Sequence, residues 1–412
     1  MAKYNTTTLD SGLRVIHLPS ASPVVYCGIG INAGSRQEGA GEEGLAHFCE
    51  HVTFKGTQRR SALQILNCLE RVGGDLNAFT NKEDTIFYAA ILREHFARAV
   101  DLLGDIVFHS EYPQHEIAHE VDVICDEIES YNDSPAELIY DEFENLLFSG
   151  HPLGHNILGT RRQVQSFTSA DALRFTRRYY RPSNAVFFVY GDVDFHRLVK
   201  RLQTLDNDRH DEDHDEPAAT GPAPSASEAA QSDAEPRPAS HHQAHVMIGC
   251  RTFGYDDERR MPLFLLNNML GGPGMNARLN LSLRERHGLV YTVESTTGTY
   301  SDTGCWSVYF GCDHHDVERC LRLVRHELDR TMQQPLSSRQ LSAAKRQLKG
   351  QIAIACDNRE QYALDMAKHF LHYGRERDVE ELLQRIDAVT AAQVQDVAQQ
   401  LFAPDRLRQL TI

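Results

Sequence analysis

Asp84–Val107 reads DTIFYAAILREHFARAVDLLGDIV, and Thr303–Leu328 reads TGCWSVYFGCDHHDVERCLRLVRHEL. Each begins with a run of β-branched and aromatic residues, passes through a short polar turn, and then places apolar residues three and four apart. That is a strand followed by an amphipathic helix. The same order of elements in the two halves of a 412-residue chain points to a duplicated domain.

Working outward from the first copy, VVYCGIGINAGS (24–35) joins DTIFYAAIL (84–92) as a strand. The segments 45–57, 61–73 and 113–131 carry helical periodicity. In the second half, 304–312 reads as a strand, with 262–270 and 315–332 as helices. The fold class expected is α+β in two domains. Between Asp206 and His245 the composition changes abruptly to Asp, Glu, His, Ala, Pro and Ser, a mixture with no means of forming a core. The expected organisation is therefore an N-terminal domain over 1–205, an acidic linker over 206–245 and a C-terminal domain over 246–412. The linker histidines are read as solvated and given no catalytic part.

A hydrophobic fraction of 41% against 24% charged residues suits a chain with a substantial buried core. The net charge of −16 argues against a surface built to neutralise phosphates or anionic lipid, so neither nucleic acid nor membrane is expected as a partner. No apolar run approaches the roughly 20 residues that cross a bilayer, and the first residues lack the apolar stretch of a secretory signal. A cytoplasmic location is the expectation. The nine cysteines are scattered without a CxxC pair, and reduced thiols are expected.

The chemistry concentrates at His47-Phe48-Cys49-Glu50-His51. On a helix, imidazoles four residues apart share one face about a turn from each other, which is a chelating arrangement. Glu50 lies close enough to that face to take a proton from a water at the metal. Zinc suits imidazole and carboxylate ligands with one position left open. Gly44-Leu45-Ala46 before the motif and Val52-Thr53-Phe54 after it make the polar groups an interruption in an apolar helix, and buried polar groups need partners. A third ligand is expected from the helix beginning near Pro113, where Glu116, Glu120, Glu127 and Glu129 are candidates. Glu120 and Glu127 return to nearly the same face after two turns, about 10 Å apart, so one can ligate while the other supports an imidazole. Cys49 points away from this face and reads as a packing residue. Gly271-Gly272-Pro273-Gly274 lacks the lysine and the spacing of a phosphate-binding loop and reads as a turn.

Several blocks in order give the chain a resemblance to the pitrilysin and mitochondrial processing peptidase family, whose His-x-x-Glu-His signature inverts the commoner zinc motif. They are Ala33-Gly34-Ser35-Arg36, Gly44 through His51, Phe54-Lys55-Gly56-Thr57 and Asn77-Ala78-Phe79-Thr80. His151-Pro152-Leu153-Gly154, Tyr180-Arg181-Pro182-Ser183-Asn184, Ser282-Leu283-Arg284-Glu285 and Gly288-Leu289-Val290-Tyr291 extend the likeness along nearly the whole chain. The resemblance implies that Glu127, 76 residues after His51, is the third zinc ligand and that Glu120 supports the site. It also implies that Arg284 and Tyr291 help hold the substrate backbone and the developing oxyanion.

The fold implied is two homologous α+β domains facing one another as a clamshell, each a mostly antiparallel sheet covered by helices. The function implied is hydrolysis of peptides paired in extended form with the strand carrying Asn77–Thr80. Family members of this length form two-chain chambers. Because this chain has both the metal motif and the Arg284/Tyr291 pair, a homodimer is the first expectation. A catalytic subunit needing a hetero-partner and a non-catalytic structural subunit are the alternatives. The linker is longer and more irregular than the family's usual connection.

Overall fold

A computed structural model describes residues 4–207 and 243–412. Among these residues, ten strands form two sheets. The first contains β1 (Asn5–Thr8), β2 (Arg14–Pro19), β3 (Val24–Ile31), β4 (Asp75–Thr80), β5 (Thr85–Leu92) and β6 (Ala185–Gly191), in the order β1-β2-β6-β3-β5-β4. The second contains β7 (Ala244–Phe253), β8 (Val290–Thr299), β9 (Thr303–Cys312) and β10 (Arg408–Thr411), in the order β10-β7-β9-β8. Only the β2–β6 pair is parallel among the described ladders, so both sheets are mostly antiparallel, as expected for an α+β fold.

The strand–helix repeat expected from the two halves of the sequence is present in detail. β5 passes through a 3-10 turn at Arg93–His95 into a helix over Phe96–Phe108, and β9 passes through one at His314–Asp316 into a helix over Val317–Gln333.

In packing, two compact units emerge, and neither is continuous in sequence. One gathers residues 4–129, 155–207 and 355–378 of those described, and the other 130–154, 243–354 and 379–412. The expected division at 205 and 246 sorts the strands, but two helices change sides. The Arg359–Tyr373 helix packs on β3 and β6 of the first sheet, and the Pro135–Leu147 helix packs on β7, β9 and β10 of the second. Amphipathic periodicity tells a helix which face to bury and not against which sheet.

The expected linker 206–245 also shortens at both ends. The helix Phe195–Asn207 includes its first two residues, and β7 includes Ala244 and His245. The remainder of that segment, with its histidines, lies outside the described residues.

The first unit's core joins Val25, Cys27, Ile29, Phe87 and Phe187 of the sheet to Leu45, Phe48 and Val52 of a short helix, α1 (Leu45–Val52). Eight residues are too few to hold a helix by propensity. Burial holds it instead: Leu45, Ala46, Phe48, Cys49 and Val52 are all fully buried. Phe48 packs against Phe167 with ring centroids 5.3 Å apart, and trimming it to alanine would cost about 3–5 kcal/mol. The segment expected as one helix over 45–57 ends at Val52, continues as a 3-10 turn over Thr53–Lys55, and stops at Gly56, whose φ of 151° no other residue type adopts readily.

The second unit has its own core around Trp306, Val308, Phe310 and Leu328. Trp306 is fully buried and its indole N–H donates to Asn267 Oδ1 at 3.0 Å, so its one polar atom is satisfied. All nine cysteines are free thiols.

Candidate metal centre

Two helices of the first unit build the site. α1 presents His47 and His51 on one face, with ring centroids 4.5 Å apart. The second helix, α2 (Gln114–Asn132), buries Ile117, Glu120, Ile124 and Ile128 along a single stripe, so Glu120 is an acid set in an apolar row. Glu127 lies beside that stripe and is nearly half exposed.

The donor atoms of His47, His51 and Glu127 all lie within 4.8 Å of one another. Glu127 Oε2 is 3.3 Å from His51 Nε2 and 3.8 Å from His47 Nε2. Zinc–ligand bonds of about 2.0–2.1 Å in a tetrahedron put neighbouring donors about 3.3–3.4 Å apart, so the spacing suits that ion. On the far side of His51, Nδ1 and Glu120 Oε1 are 2.9 Å apart, which in the neutral ring would keep the proton on Nδ1 and free Nε2 as the ligand atom. Glu120 Oε2 meets Lys55 Nζ.

Electrostatics agree with a site made for a cation. Although burial lowers it, the His51 pKa is pushed up to about 9 by Glu120 and Glu127, which means that positive charge is welcome there. Burial, together with neighbouring His51, holds His47 down at about 4, the neutral form a metal needs. Its Nδ1 is buried without a hydrogen-bond partner, a penalty of about 1–3 kcal/mol that coordination at Nε2 can offset. Hydrogen bonding from His51 holds Glu127 below the usual carboxylate range, and bonds from His51 and Lys55 do the same to Glu120 against the effect of burial.

Glu50 is not among the converging donors. It is 9% exposed, and Thr80 Oγ1, at the end of β4, donates to its Oε2 at 2.6 Å. Burial pushes the Glu50 carboxyl up, while the Thr80 bond pulls it down. Glu50 is thus a buried carboxyl group next to the converging donors and not one of them.

The remaining two residues expected at the site from the sequence belong to the second unit. Arg284 lies in a widened helical turn, Asn280–Glu285, with about half of its side chain exposed. Tyr291 sits where the β8–β9 ladder breaks register between Val290 and Val293, and it is 82% exposed. Bulges of this kind re-aim a side chain away from its sheet. Cys49, fully buried with Sγ against the carbonyl of Ala172, is the packing residue expected.

Thr80, Lys55 and Glu38 carry no role in the sequence reading. Thr80 ends the block Asn77–Thr80, which the sequence reading assigns to peptide pairing without a part for the hydroxyl, and Lys55 sits in Phe54–Thr57, a block with no function attached. Glu38 places both carboxylate oxygens at the start of α1, and nothing in its local sequence marks it.

Comparison with known proteins shows the family to which the chain belongs. Residues 14–161 match the family model described as insulinase (peptidase family M16), and residues 166–348 match the one described as the M16 inactive domain. An uncharacterized zinc protease of Streptomyces coelicolor is 34% identical over 402 residues, covering 96% of this chain and 86% of that protein. The uncharacterized zinc protease YmxG of Bacillus subtilis is 30% identical, covering 97% and 95% respectively. Among solved structures, a protease from Helicobacter pylori shares the fold at a TM-score of 0.89 and 20% identity, covering 100% of this chain and 99% of its own. A putative M16-like peptidase from Alicyclobacillus acidocaldarius does so at 0.83 and 19% identity, covering 99% and 97%.

The chain is a zinc metallopeptidase. It belongs to the M16, or insulinase, family of peptidases. The description of the second model as inactive accords with the helix that follows β7, Arg260–Gly271, which has no histidine. No helix among the described residues is long and apolar enough to cross a membrane.

Proposed function

We propose that the chain is a metalloendopeptidase that hydrolyses unfolded peptides bound in extended form, with Glu50 as general base. The observation that carries this is the hydrogen bond from Thr80 to Glu50, because it ties the base to the strand best placed to hold a substrate. β4 is an edge strand among the described ladders, and its outer N–H and C=O groups can add a peptide strand. A peptide paired there runs past the base.

When bound to His47, His51 and Glu127, zinc supplies a Lewis acid for the scissile carbonyl and lowers the pKa of a water. Glu50 Oε1, with Oε2 held by Thr80, accepts the proton of the attacking water and returns it to the leaving amine. Glu120 keeps the His51 ring in one tautomer and orientation. Arg284 supplies a charged donor and Tyr291 a neutral one for the substrate backbone and the developing oxyanion. Two copies forming an enclosed chamber is the assembly that family likeness favours. The intact ligand set argues for this over a structural subunit.

The test is hydrolysis of a mixed library of unfolded peptides by the purified zinc-loaded chain, beside Glu50→Gln. Cleavage that falls by about 10²–10⁴ in the variant, with zinc still bound, supports the reading. A zinc-loaded parent chain that cuts nothing as a homogeneous preparation rejects it in favour of a hetero-partner or a structural role.

A further inference from the structure

α1 carries both imidazole ligands and the base, yet nothing of its own caps it. It begins at Gly44, whose φ is 96°, and Gly44 offers no side chain to the first-turn amides. A Cβ at Gly44 would come within 2.7 Å of the Leu158 carbonyl oxygen, and one at Gly159 within 2.2 Å of the Glu43 carbonyl oxygen, so the backbones touch there. Helix amides left without acceptors in such a place are costly.

Glu38 meets them from outside the helix. Its Oε2 accepts the Gly44 N–H at 3.0 Å and its Oε1 the Ala46 N–H at 2.7 Å. The second of these amides belongs to the residue immediately before His47. Oε2 is also 2.8 Å from His155 Nε2, and that ring nitrogen is 3.1 Å from the Ser35 carbonyl oxygen. Lys82 Nζ in turn donates to the His155 carbonyl. The Glu38 side chain is wholly buried, so this carboxylate has no competing water. A buried carboxylate at a helix N-terminus accepts charge-assisted bonds and also meets the positive end of the helix dipole.

We propose that Glu38 is a positioning residue of the metal centre, a buried carboxyl group that accepts two amides at the start of α1 and thereby fixes the direction in which His47 and Glu50 enter the site. This rests on the zinc site described above. The role is more than packing, because the carboxylate bonds to backbone one residue from a ligand while its His155 side reaches a different loop. A shift of α1 at Ala46 moves His47 directly, whereas Glu127 on α2 stays in place, so the donor set opens.

The experiment compares the full-length parent chain with Glu38→Gln and His155→Gln. Zinc affinity is measured by competition with a chromogenic chelator, and amide exchange is followed over residues 44–48. In E38Q one acceptor is replaced by an amide N–H₂ that faces backbone donors. Its zinc affinity is expected to fall by about 10–100-fold, the range seen when partners of metal ligands are removed, with faster exchange over 44–48 and slow exchange retained in β3 and β5. H155Q leaves the carboxylate on the helix, and its zinc affinity should stay within about threefold of the parent, a small fraction of that range.

Unchanged affinity in E38Q overturns the proposal, as does an equal loss in H155Q, which would make the whole cluster a packing hub. If E38Q does not fold, Glu38→Asp keeps the charge but withdraws it, and an intermediate affinity is expected. If neither variant folds, Glu38 is a folding determinant and the proposal falls. A parent chain that binds no zinc defeats the metal-site reading itself, which separates that failure from this one.

Discussion

Thr80 Oγ1 lies 2.6 Å from Glu50 Oε2, so the last residue of an edge strand holds the carboxylate of the helix that carries the zinc motif. On the proposed function, that one hydroxyl would register the substrate strand to the base.

Replacing Thr80 with valine removes that hydroxyl at nearly constant volume. kcat/KM is expected to fall about tenfold, the equivalent of a hydrogen bond to a charged group of roughly 1.5 kcal/mol, while Thr80→Ser stays close to the parent. Because the Thr80 bond opposes the upward push of burial on Glu50, its loss raises the Glu50 pKa. The acid limb of the kcat/KM profile should move to higher pH in T80V. An unmoved limb would sever Thr80 from the base.

Glu120 bridges His51 and Lys55. Glu120→Gln still occupies the space but can present its N–H₂ rather than an acceptor to His51 Nδ1. Zinc affinity should drop by about 10–100-fold with the fold intact, measured by chelator competition. Lys55→Met should cost less, since it only steadies Glu120. A larger loss in K55M than in E120Q would reverse the assigned order of support.

Removing the metal should lower stability by mass action. Zinc held at about 100 times its dissociation constant contributes about 2.7 kcal/mol, which vanishes with chelator. Calorimetry should show a lower Tm on chelation in the parent chain and no response in Glu127→Ala. If the parent Tm ignores chelator at saturating zinc, the three donors do not hold the ion.

A pH effect on stability is expected away from the metal. Asp84 is buried, with Oδ2 2.9 Å from His372 Nε2 and Oδ1 4.0 Å from Lys368 Nζ. Burial raises its pKa, but the bond and charge of His372, the Lys368 charge and the bond from Asn81 act the other way, and the carboxyl titrates below its ordinary value of 3.8. A depressed folded-state pKa contributes stability that is fully present above the unfolded value and is lost as pH falls through the folded one. Asp84→Asn should therefore be destabilised by roughly 1–3 kcal/mol at neutral pH. Its deficit should shrink as pH drops below about 4. Denaturant titrations at pH 7 and pH 3 check this, and a constant deficit would remove Asp84 from the acid response.

Much of the site was legible because its chemistry is local. His47 and His51 are one turn apart on α1, which a helical reading of the sequence gives directly; among Glu116, Glu120, Glu127 and Glu129 that reading leaves the third ligand open, and only the family resemblance singles out Glu127, with Glu120 in support. The partners Thr80, Lys55 and Glu38 were not assigned roles, since a hydroxyl, an ammonium and a carboxylate each read equally well as surface groups until tertiary packing brings them to Glu50, Glu120 and the start of α1. β3, β5 and β9 were legible as runs of β-branched and aromatic residues, and Asp84–Val107 and Thr303–Leu328 disclosed the duplication. What periodicity could not disclose is the crossing over of the Pro135–Leu147 and Arg359–Tyr373 helices, because an apolar stripe does not name the sheet it will cover.

That crossing over sets a timetable for the newborn chain. The last strand of the first sheet ends at Gly191, but the helix that covers β3 and β6 is complete only at Tyr373. At about 5–20 residues per second, the ribosome leaves that sheet face without its cover for roughly 10–35 s after all six strands have been made. The zinc ligands are thus synthesised early in a unit that matures late, and the enzyme cannot finish its catalytic half before it has nearly finished its other one.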